Sequence, residues 1–201
     1  MSVGARHAGP DDVASLSRSL ARAFDDDPVF EYVMPPSERR SRKMERFFQL
    51  IAPAHLHHGH VYVSPAVEGC AMWDPPGCWR LRWQAQLRMA LPMIRLYGRR
   101  SFGLLGDYQR LEQRHAQHPP HWYLSMLGTD PDHQGKGIGA SLLAPVLTIC
   151  DRDGVGAYLE SSKASNVPYY ERFGFRAVEE HPFHPGGPMM WLMWREPQPP
   201  L

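Results

Sequence analysis

The chain has 201 residues, which is enough for one domain with a substantial hydrophobic core. Its 22 Lys and Arg side chains nearly balance 21 Asp and Glu side chains, so the net charge of +1 favours neither nucleic acid nor an anionic membrane as a partner. Three cysteines without a C-x-x-C pair, and no secretory signal after Met1, predict a cytoplasmic protein with reduced thiols. The apolar stretch at 137–150 is shorter than the ~20 residues of a membrane span.

The sequence of the N-terminal part predicts a strand, followed by two helices with an acidic turn between them. Residues 3–8 predict the strand, and apolar side chains at helical spacing predict a helix that ends near Phe24. Three aspartates at 25–27 form the turn, and a second helix is predicted over 37–53.

Four histidines lie close together in the segment 55–60, and strands and helices are predicted over 61–118. Clustered histidines are a metal-binding pattern, but no carboxylate or cysteine lies at ligand spacing. We therefore predict a solvent-exposed loop and no metal ion. Strands are predicted over 61–63 and 68–73, and helices over 79–97 and 102–118, the first of them broken or kinked at Pro92.

The most informative stretch of the chain is 122–150. A short apolar run, bounded by prolines, predicts a buried strand over 123–127. The loop at 134–139 then has three glycines in five residues, and apolar side chains from Ile138 onward predict a helix, with a kink at Pro145. Unpaired backbone N–H groups at a helix N-terminus, next to the charge of Lys136, form a site for a phosphate or pyrophosphate.

Three glycine patterns compete for this loop. The nucleoside-triphosphate loop is excluded, because Lys136 precedes the last glycines and no Ser or Thr follows it. A dinucleotide fingerprint is satisfied by Gly135, Gly137 and Ala140, with Glu160 about 20 residues further on, although the chain is short for the remaining sheet. The third pattern is Q-x-x-G-x-G over 134–139, with a second motif, N-x-x-x-Y-x-x-x-G-F, over 166–175.

These two motifs, in this order and at this distance, resemble the acyl-CoA-dependent N-acetyltransferase (GNAT) superfamily. The segments HWYLSMLGTDPDHQGKGIG and LESSKASNVPYYERFGF look especially like its puromycin N-acetyltransferase-like branch. The resemblance implies an α/β (α+β) acyl-CoA N-acyltransferase fold: a mixed, mostly antiparallel sheet, splayed at the central strand, with helices on both faces. It implies a single domain over 1–201, with a helical insertion at 74–121 near the acceptor site and an acetyl-CoA-binding core at 122–195.

The resemblance also assigns residues to the donor, acetyl-CoA, which is a co-substrate. The loop would hold the pyrophosphate, and the edge of the preceding strand would pair with the pantetheine amides. Asn166 is expected to cap the following helix, and Gly128 to mark an irregularity where the sheet splays. The predicted donor-binding residues are Leu127, Gly128, Thr129, Gln134, Gly135, Lys136, Gly137, Ile138, Gly139, Ala140, Asn166 and Tyr170.

Two residues are predicted to move protons. Tyr170 matches the family's general acid, which protonates the leaving thiolate; the alternative is that Tyr170 packs and Tyr169 is exposed. Glu160 is the predicted base for the acceptor amine; its alternatives are binding of the substrate ammonium or an ion pair with Lys163. Family members place the region after the first helix beside the acceptor, so Phe24, Asp27, Phe30 and Glu160 are predicted to bind substrate, unless the acidic turn is merely solvated.

The implied function is transfer of an acetyl group from acetyl-CoA to a primary amine of a small molecule, by direct attack in a ternary complex. Three alternatives stay open: a peptide or protein N-acetyltransferase, a non-catalytic acyl-CoA-binding module and, more remotely, a dinucleotide-binding protein. Neither nucleic acid nor a membrane is expected as a partner, and a homodimer is compatible with the family. The resemblance to a puromycin-modifying branch does not identify the acceptor.

Overall fold

A seven-stranded sheet organises the described chain, which comprises residues 4–80, 83–98, 101–115 and 117–198 of a computed structural model. The strand order is β1-β2-β3-β4-β5-β7-β6, and each described neighbouring pair is antiparallel except β4 with β5. The strands are β1 (Arg6–His7), β2 (Val61–Val63), β3 (Gly69–Asp74), β4 (Trp122–Thr129), β5 (Ala157–Ser161), β6 (Arg176–Pro182) and β7 (Met189–Arg195). The mixed, mostly antiparallel sheet is confirmed, and the doubly wound parallel sheet of a dinucleotide-binding fold is not formed.

Helices cover both faces of the sheet, as predicted. They are α1 (Val13–Ala23), α2 (Pro28–Val33), α3 (Arg40–Leu56), α4 (Trp83–Tyr97), α5 (Ser101–His115), α6 (Ile138–Asp153) and α7 (Val167–Glu171). Buried residues of α1 to α5 pack with Tyr158 and Leu192 on one face, whereas those of α6 and α7 pack with Leu124 and Leu159 on the other. Residues that alternate along β4 and β5 therefore contribute to two separate cores.

The sheet opens between β4 and β5. The two strands pair only over 122–124 and 157–159, and β4 then continues to Thr129 while it stays paired with β3. The irregularity lies at Ser125, which is left without a partner when the register shifts from Leu124–Trp73 to Met126–Met72. The predicted splay is confirmed, although the prediction that Gly128 marks it is wrong.

Gly128 serves the packing of α1 against β4 instead. It pairs regularly with Cys70, and a Cβ at this position would lie 2.8 Å from Leu20 Cδ2 and 2.9 Å from Ala23 Cβ. Contacts this short are overpacked, so only glycine lets α1 approach the strand this closely. The helix thereby closes one side of the opened sheet.

Several predicted element bounds differ from those observed. The first strand comprises only Arg6–His7, and the predicted residue Val3 lies outside the described residues. The helix α3 continues through Pro53, and α4 and α6 continue through Pro92 and Pro145. Each proline removes one helical hydrogen bond, and the remaining bonds and the buried apolar faces of these helices, each at least 15 residues long, are sufficient to continue them. No helix in the described ranges is long and apolar enough to cross a membrane.

The histidine segment is more ordered than predicted. His55 lies within α3 and His58 just after it, and their Nδ1 atoms are 2.9 Å and 2.8 Å from the same oxygen, Oδ1 of Asp74. The Asp74 side chain is 3% exposed, and those of His55 and His58 are 12% and 23% exposed. The prediction of a solvent-exposed loop is wrong for these two residues, because the carboxylate that orders them comes from the end of β3.

Candidate active site

The candidate site lies where β4 and β5 diverge, and the glycine-rich loop borders it. Gly135 and Gly137 have φ angles of 76° and 80°, which residues with a Cβ rarely adopt. The N–H of Ser141 donates to the carbonyl of Gly137 at 3.1 Å, the first bond of α6. The preceding amides of this first turn have no helical acceptor, and they carry the positive end of the helix dipole. The structure thus brings together Gln134, Gly135, Lys136, Gly137, Ile138, Gly139 and Ala140 at one helix end.

Side-chain contacts hold this loop against the end of β4. Gln134 Nε2 donates to the carbonyl oxygen of Thr129 at 3.2 Å. Lys136 Nζ donates to the carbonyl oxygen of Asp132 at 3.2 Å, and Arg22 of α1 forms an ion pair with the Asp132 carboxylate at 2.7 Å. The exposed Lys136 ammonium therefore stays beside the helix N-terminus, where it adds positive charge for an anion.

The second part of the site is the free edge of β4. Leu127, Gly128 and Thr129 pair with β3 on one side and lie beyond the last residue that pairs with β5 on the other. Successive peptide groups of a strand point to alternate sides, so part of this backbone faces the gap. The free edge can bind an extended, amide-containing chain by adding to the sheet.

Two adjacent tyrosines of α7 lie near the glycine-rich loop and the acidic turn. Tyr170 is 9% exposed, and burial, followed by the effects of Tyr169 and of the Asp27 charge, raises the pKa of its phenol, which is therefore protonated at neutral pH. Burial raises the pKa of Tyr169 to about 12. The Tyr169 hydroxyl has no hydrogen-bond partner among the described residues. It lies so close to Gly139 that a Cβ there would overlap it. Tyr170 is a member of the core and Tyr169 is only partly buried, although the Tyr169 hydroxyl itself is buried. The choice of Tyr170 as the acid stays a prediction.

Asn166 lies at the start of α7 in a different local structure from the one predicted. It ends a short 3-10 turn, Ala164–Asn166, and its side chain makes no capping hydrogen bond. The prediction that Asn166 caps the helix is wrong, because its φ and ψ of −87° and −16° are helical rather than extended. Pro168 is in the first turn, as predicted. The exposed Asn166 amide is free to contact a ligand.

Glu160 lies near the end of β5 and has a partner from the helical segment. Its Oε1 is 2.9 Å from Nε2 of His115, the last residue of α5, and the side chains of His115 and Glu160 are 4% and 5% exposed. The alternative ion pair with Lys163 is wrong, because Lys163 Nζ binds the Asp26 carboxylate. The structure therefore couples the predicted base to a buried imidazole.

The acidic turn makes specific contacts within the chain. Asp25 forms an ion pair with the buried Arg40. Asp27 accepts hydrogen bonds from the N–H groups of Val29 and Phe30 at 2.9 Å and 3.0 Å, so it caps α2, and it also accepts one from the Ser162 hydroxyl. Burial raises the pKa of Asp27, and these hydrogen bonds lower it in part. The solvated-turn alternative is wrong for Asp27, which is 3% exposed.

Of the two aromatic residues predicted to bind substrate, Phe30 belongs to the core and the partly buried Phe24 packs against it. The rings of Phe24 and Phe30 lie 5.1 Å apart, and both contact Phe48. Phe30 is 7% exposed, so it packs rather than lines an open pocket. Among the residues predicted to bind substrate, Asp27 lies close enough to Tyr170 for its charge to raise the pKa of that phenol.

Three residues near the candidate site were not predicted from the sequence. Tyr169 was considered only as an alternative to Tyr170, and Ser162 carries no recognisable signal. His115 is one of three histidines close together in the sequence, with His118 and His121, and this cluster was the only sequence signal that could have indicated a functional role for it. No local pattern connects His115 to Glu160, because 45 positions separate them.

The chain is similar to known acetyltransferases in sequence. Residues 105–193 match a family model described as an acetyltransferase (GNAT) domain. An uncharacterized N-acetyltransferase of Schizosaccharomyces pombe is 32% identical over 186 residues, which represent 86% of this chain and 74% of that relative. The family model spans the glycine-rich loop and both predicted proton-transfer residues.

Solved structures have the same fold. A histone acetyltransferase HPA2 and related acetyltransferase from Corynebacterium glutamicum superposes with a TM-score of 0.74 at 24% identity, over 100% of this chain and 99% of that one. A Drosophila melanogaster polyamine N-acetyltransferase has a TM-score of 0.63 at 14% identity, over 96% and 98% of the two chains. At these identities the structural likeness establishes the fold, and the S. pombe relative establishes the family. The protein belongs to the GNAT acetyltransferase family and is an acetyl-CoA-dependent acetyltransferase.

Proposed function

We propose that this protein transfers an acetyl group from acetyl-CoA to a primary amine of a small molecule, by direct attack within a ternary complex. The observation that carries the proposal is the opening of the sheet between β4 and β5, with the helix N-terminus of α6 after the end of β4 and Glu160 near the end of β5. Tyr170 is proposed to face the same gap. The core at 122–195 would bind the donor, and the insertion at 74–121 would select the acceptor.

The donor's parts match the two polar surfaces of the gap. A pyrophosphate requires several N–H donors and positive charge, which the turn at 134–140 and Lys136 would supply. The pantetheine arm requires backbone partners, which 127–129 would supply. The unpartnered Tyr169 hydroxyl lies against Gly139 of this turn, and the exposed Asn166 would add a further polar contact.

The residues of the gap also match the needs of acyl transfer. Acetyl-CoA supplies the activated acyl group as a thioester. A backbone N–H of β4 would stabilise the oxyanion that develops when the amine attacks the carbonyl carbon. Glu160 would accept the proton that the amine loses, directly or through one water molecule. Tyr170 would donate its proton to the sulfur as the carbon–sulfur bond breaks, so that the thiol leaves neutral.

A small amine is favoured over a peptide because helices of the insertion pack close to the predicted base. The last residue of α5 contacts Glu160 directly. The Drosophila relative acts on polyamines, as its name states, and this supports testing cationic amines. The resemblance to the puromycin N-acetyltransferase-like branch supports including puromycin. The cytoplasmic location and a homodimeric state stay predictions.

The acceptor class is tested by thiol release with a panel of acceptors at fixed acetyl-CoA concentration. The panel contains monoamines, agmatine, polyamines, puromycin and peptides with free N-termini. We expect kcat/KM for at least one small amine to exceed that of the best peptide by about tenfold or more, a difference of ~1.4 kcal/mol in transition-state binding. Higher kcat/KM with peptides would support the peptide N-acetyltransferase, and binding of acetyl-CoA without transfer to any acceptor would support the non-catalytic module.

A further inference from the structure

The imidazole of His115 is enclosed by aromatic rings at the back of the candidate site. Its ring centroid is 4.5 Å from that of Trp79, 4.4 Å from that of Tyr123 and 4.7 Å from that of Tyr158. The Trp79 ring is tilted by only 32° relative to the imidazole, so it lies largely face-on. A face-on indole within this distance stabilises a cation, and burial strengthens the effect.

Hydrogen bonds at the two ring nitrogens of His115 favour its protonated form. His121 Nδ1 is 2.7 Å from the carbonyl oxygen of Pro119, which can only accept, so this nitrogen carries the proton. Burial is the main reason that the pKa of His121 is lowered, and a neutral His121 presents a lone pair at Nε2. That atom is 3.4 Å from His115 Nδ1, where a proton on His115 gives an attractive contact.

The second nitrogen of His115 faces a carboxyl group. Nε2 is 2.9 Å from Glu160 Oε1, and an ionised carboxylate can only accept a hydrogen bond. A proton must therefore lie between these two atoms. Two forms satisfy this requirement: an imidazolium with a carboxylate, or a neutral imidazole with a carboxylic acid.

The surroundings favour the charged pair. The phenol of Tyr123 faces Glu160, and burial, followed by the Glu160 charge, raises its pKa, so it is present as a hydrogen-bond donor. Burial and the Glu160 charge also raise the pKa of Tyr158, but its hydroxyl makes no hydrogen bond among the described residues. Donors stabilise a carboxylate more than a carboxylic acid, and Trp79 stabilises the imidazolium. The other charged and titratable groups near this pair are Arg80, Arg114, His118, His121, Glu179 and Asp74.

We infer that His115 is a positioning residue, held as an imidazolium in this aromatic box, which keeps the buried carboxylate of Glu160 ionised and able to accept a proton from the acceptor amine. Without the cation, the carboxylate of a side chain that is 5% exposed has no counter-ion, and burial disfavours an unpaired charge. The inference rests on the proposed role of Glu160 as base. It extends that role by identifying the residue that controls its protonation.

Two substitutions separate the charge of His115 from its packing. His115→Gln keeps a hydrogen-bond donor to Glu160 without the charge, and His115→Phe keeps a ring in the box without either. We expect the acidic limb of the pH profile of acceptor kcat/KM to move to higher pH, by about one to three units in the Phe variant and by less in the Gln variant. Activity should approach that of the wild type at high pH. Protonation of the acceptor amine also contributes to each pH profile, but this contribution is the same in the wild type and in all variants.

His58→Gln is the control for the loss of an imidazole that contacts a carboxylate, because it removes the half-buried His58 ring from Asp74, at 2.8 Å. Its acidic limb should stay in place. A loss of activity that is equal at every pH in the His115 variants, or an unchanged limb, would show that His115 only packs. Glu160→Gln should abolish the acidic limb of the pH profile that is expected to shift in the His115 variants.

A measurement without substrate separates the inference from the proposed function. Nuclear magnetic resonance of the ¹⁵N-labelled histidine rings should show both nitrogens of His115 protonated at pH 7 in the wild type, and the second proton lost at a lower pH in Glu160→Gln than in the wild type. A singly protonated His115 at pH 7 would overturn the inference. If the wild-type enzyme transfers no acetyl group to any amine, the proposed function fails and this result still determines the state of the pair.

Discussion

Replacement of Tyr170 by Phe is expected to lower kcat by about 10²- to 10⁴-fold, the range of a general acid's contribution. The reason is that the thiolate of CoA is a poor leaving group unless it is protonated as the carbon–sulfur bond breaks. The Tyr170 phenol is protonated at neutral pH, since burial raises its pKa, and the substitution removes its only oxygen while preserving the ring that packs on Phe175. The dissociation constant of acetyl-CoA should change little. Steady-state kinetics and calorimetry measure the two quantities separately.

Tyr169→Phe is the control for Tyr170→Phe, because it deletes the neighbouring hydroxyl of the same helix. The Tyr169 hydroxyl lies against Gly139, at the turn that is proposed to hold the pyrophosphate. Its removal should affect acetyl-CoA affinity more than kcat. Comparable kcat values for Tyr170→Phe and the wild type would contradict the assignment of the acid, and a large fall in kcat for Tyr169→Phe alone would transfer the role to that residue.

Substitution of Gly137 by Ala should weaken acetyl-CoA binding by about tenfold or more, equivalent to ~1.4 kcal/mol. Gly137 has a φ of 80° as it begins α6, and a left-handed conformation costs a residue with a Cβ roughly 1–2 kcal/mol. A loop that relaxes from this angle redirects the amides of the turn away from the anion. Calorimetric titration with acetyl-CoA measures the change in affinity.

Gly154→Ala is the matched control, since Gly154 has a φ of 66° at the opposite end of the same helix. Both substitutions should lower the free energy of unfolding by about 1–2 kcal/mol in urea denaturation, because the backbone strain is similar. Only Gly137→Ala should also weaken binding of the donor. Equal affinities in the two variants would show that the loop conformation does not bind acetyl-CoA.

The donor half of the site was predictable because its determinants are local in sequence. Gly135, Gly137 and the apolar spacing after Ile138 specify a turn and a helix start within a few residues, and the backbone N–H groups there follow from helix geometry. The motif at 166–175 is equally local, and the short helix α7 and the strand β6 that it predicts are both formed. The error at Asn166 concerned only the conformation of one residue, since a 3-10 turn precedes the helix.

The surroundings of the proposed acceptor site were not predictable, because contacts between residues far apart in the sequence determine them. Asp27 and Ser162 are 135 positions apart in the chain, and they join the acidic turn to the end of β5. His115 meets Glu160 only because α5 ends over the sheet face that Glu160 occupies. Ser125 is an additional residue of β4 that has no paired residue in β3. Neither composition nor residue spacing predicts it, and only the observed register of the two strands shows it.

The central claim is that the turn at 134–140 and the free edge of β4 bind acetyl-CoA. It is tested most directly by a thermal-shift titration of the wild-type protein with acetyl-CoA, CoA, NADH and NADPH in parallel. A ligand that binds the folded state alone raises Tm by mass action, and saturation at 100 times Kd contributes ~2.7 kcal/mol. The account predicts that acetyl-CoA and CoA raise Tm and that neither nicotinamide cofactor does. A shift with NADH or NADPH and none with acetyl-CoA would contradict it.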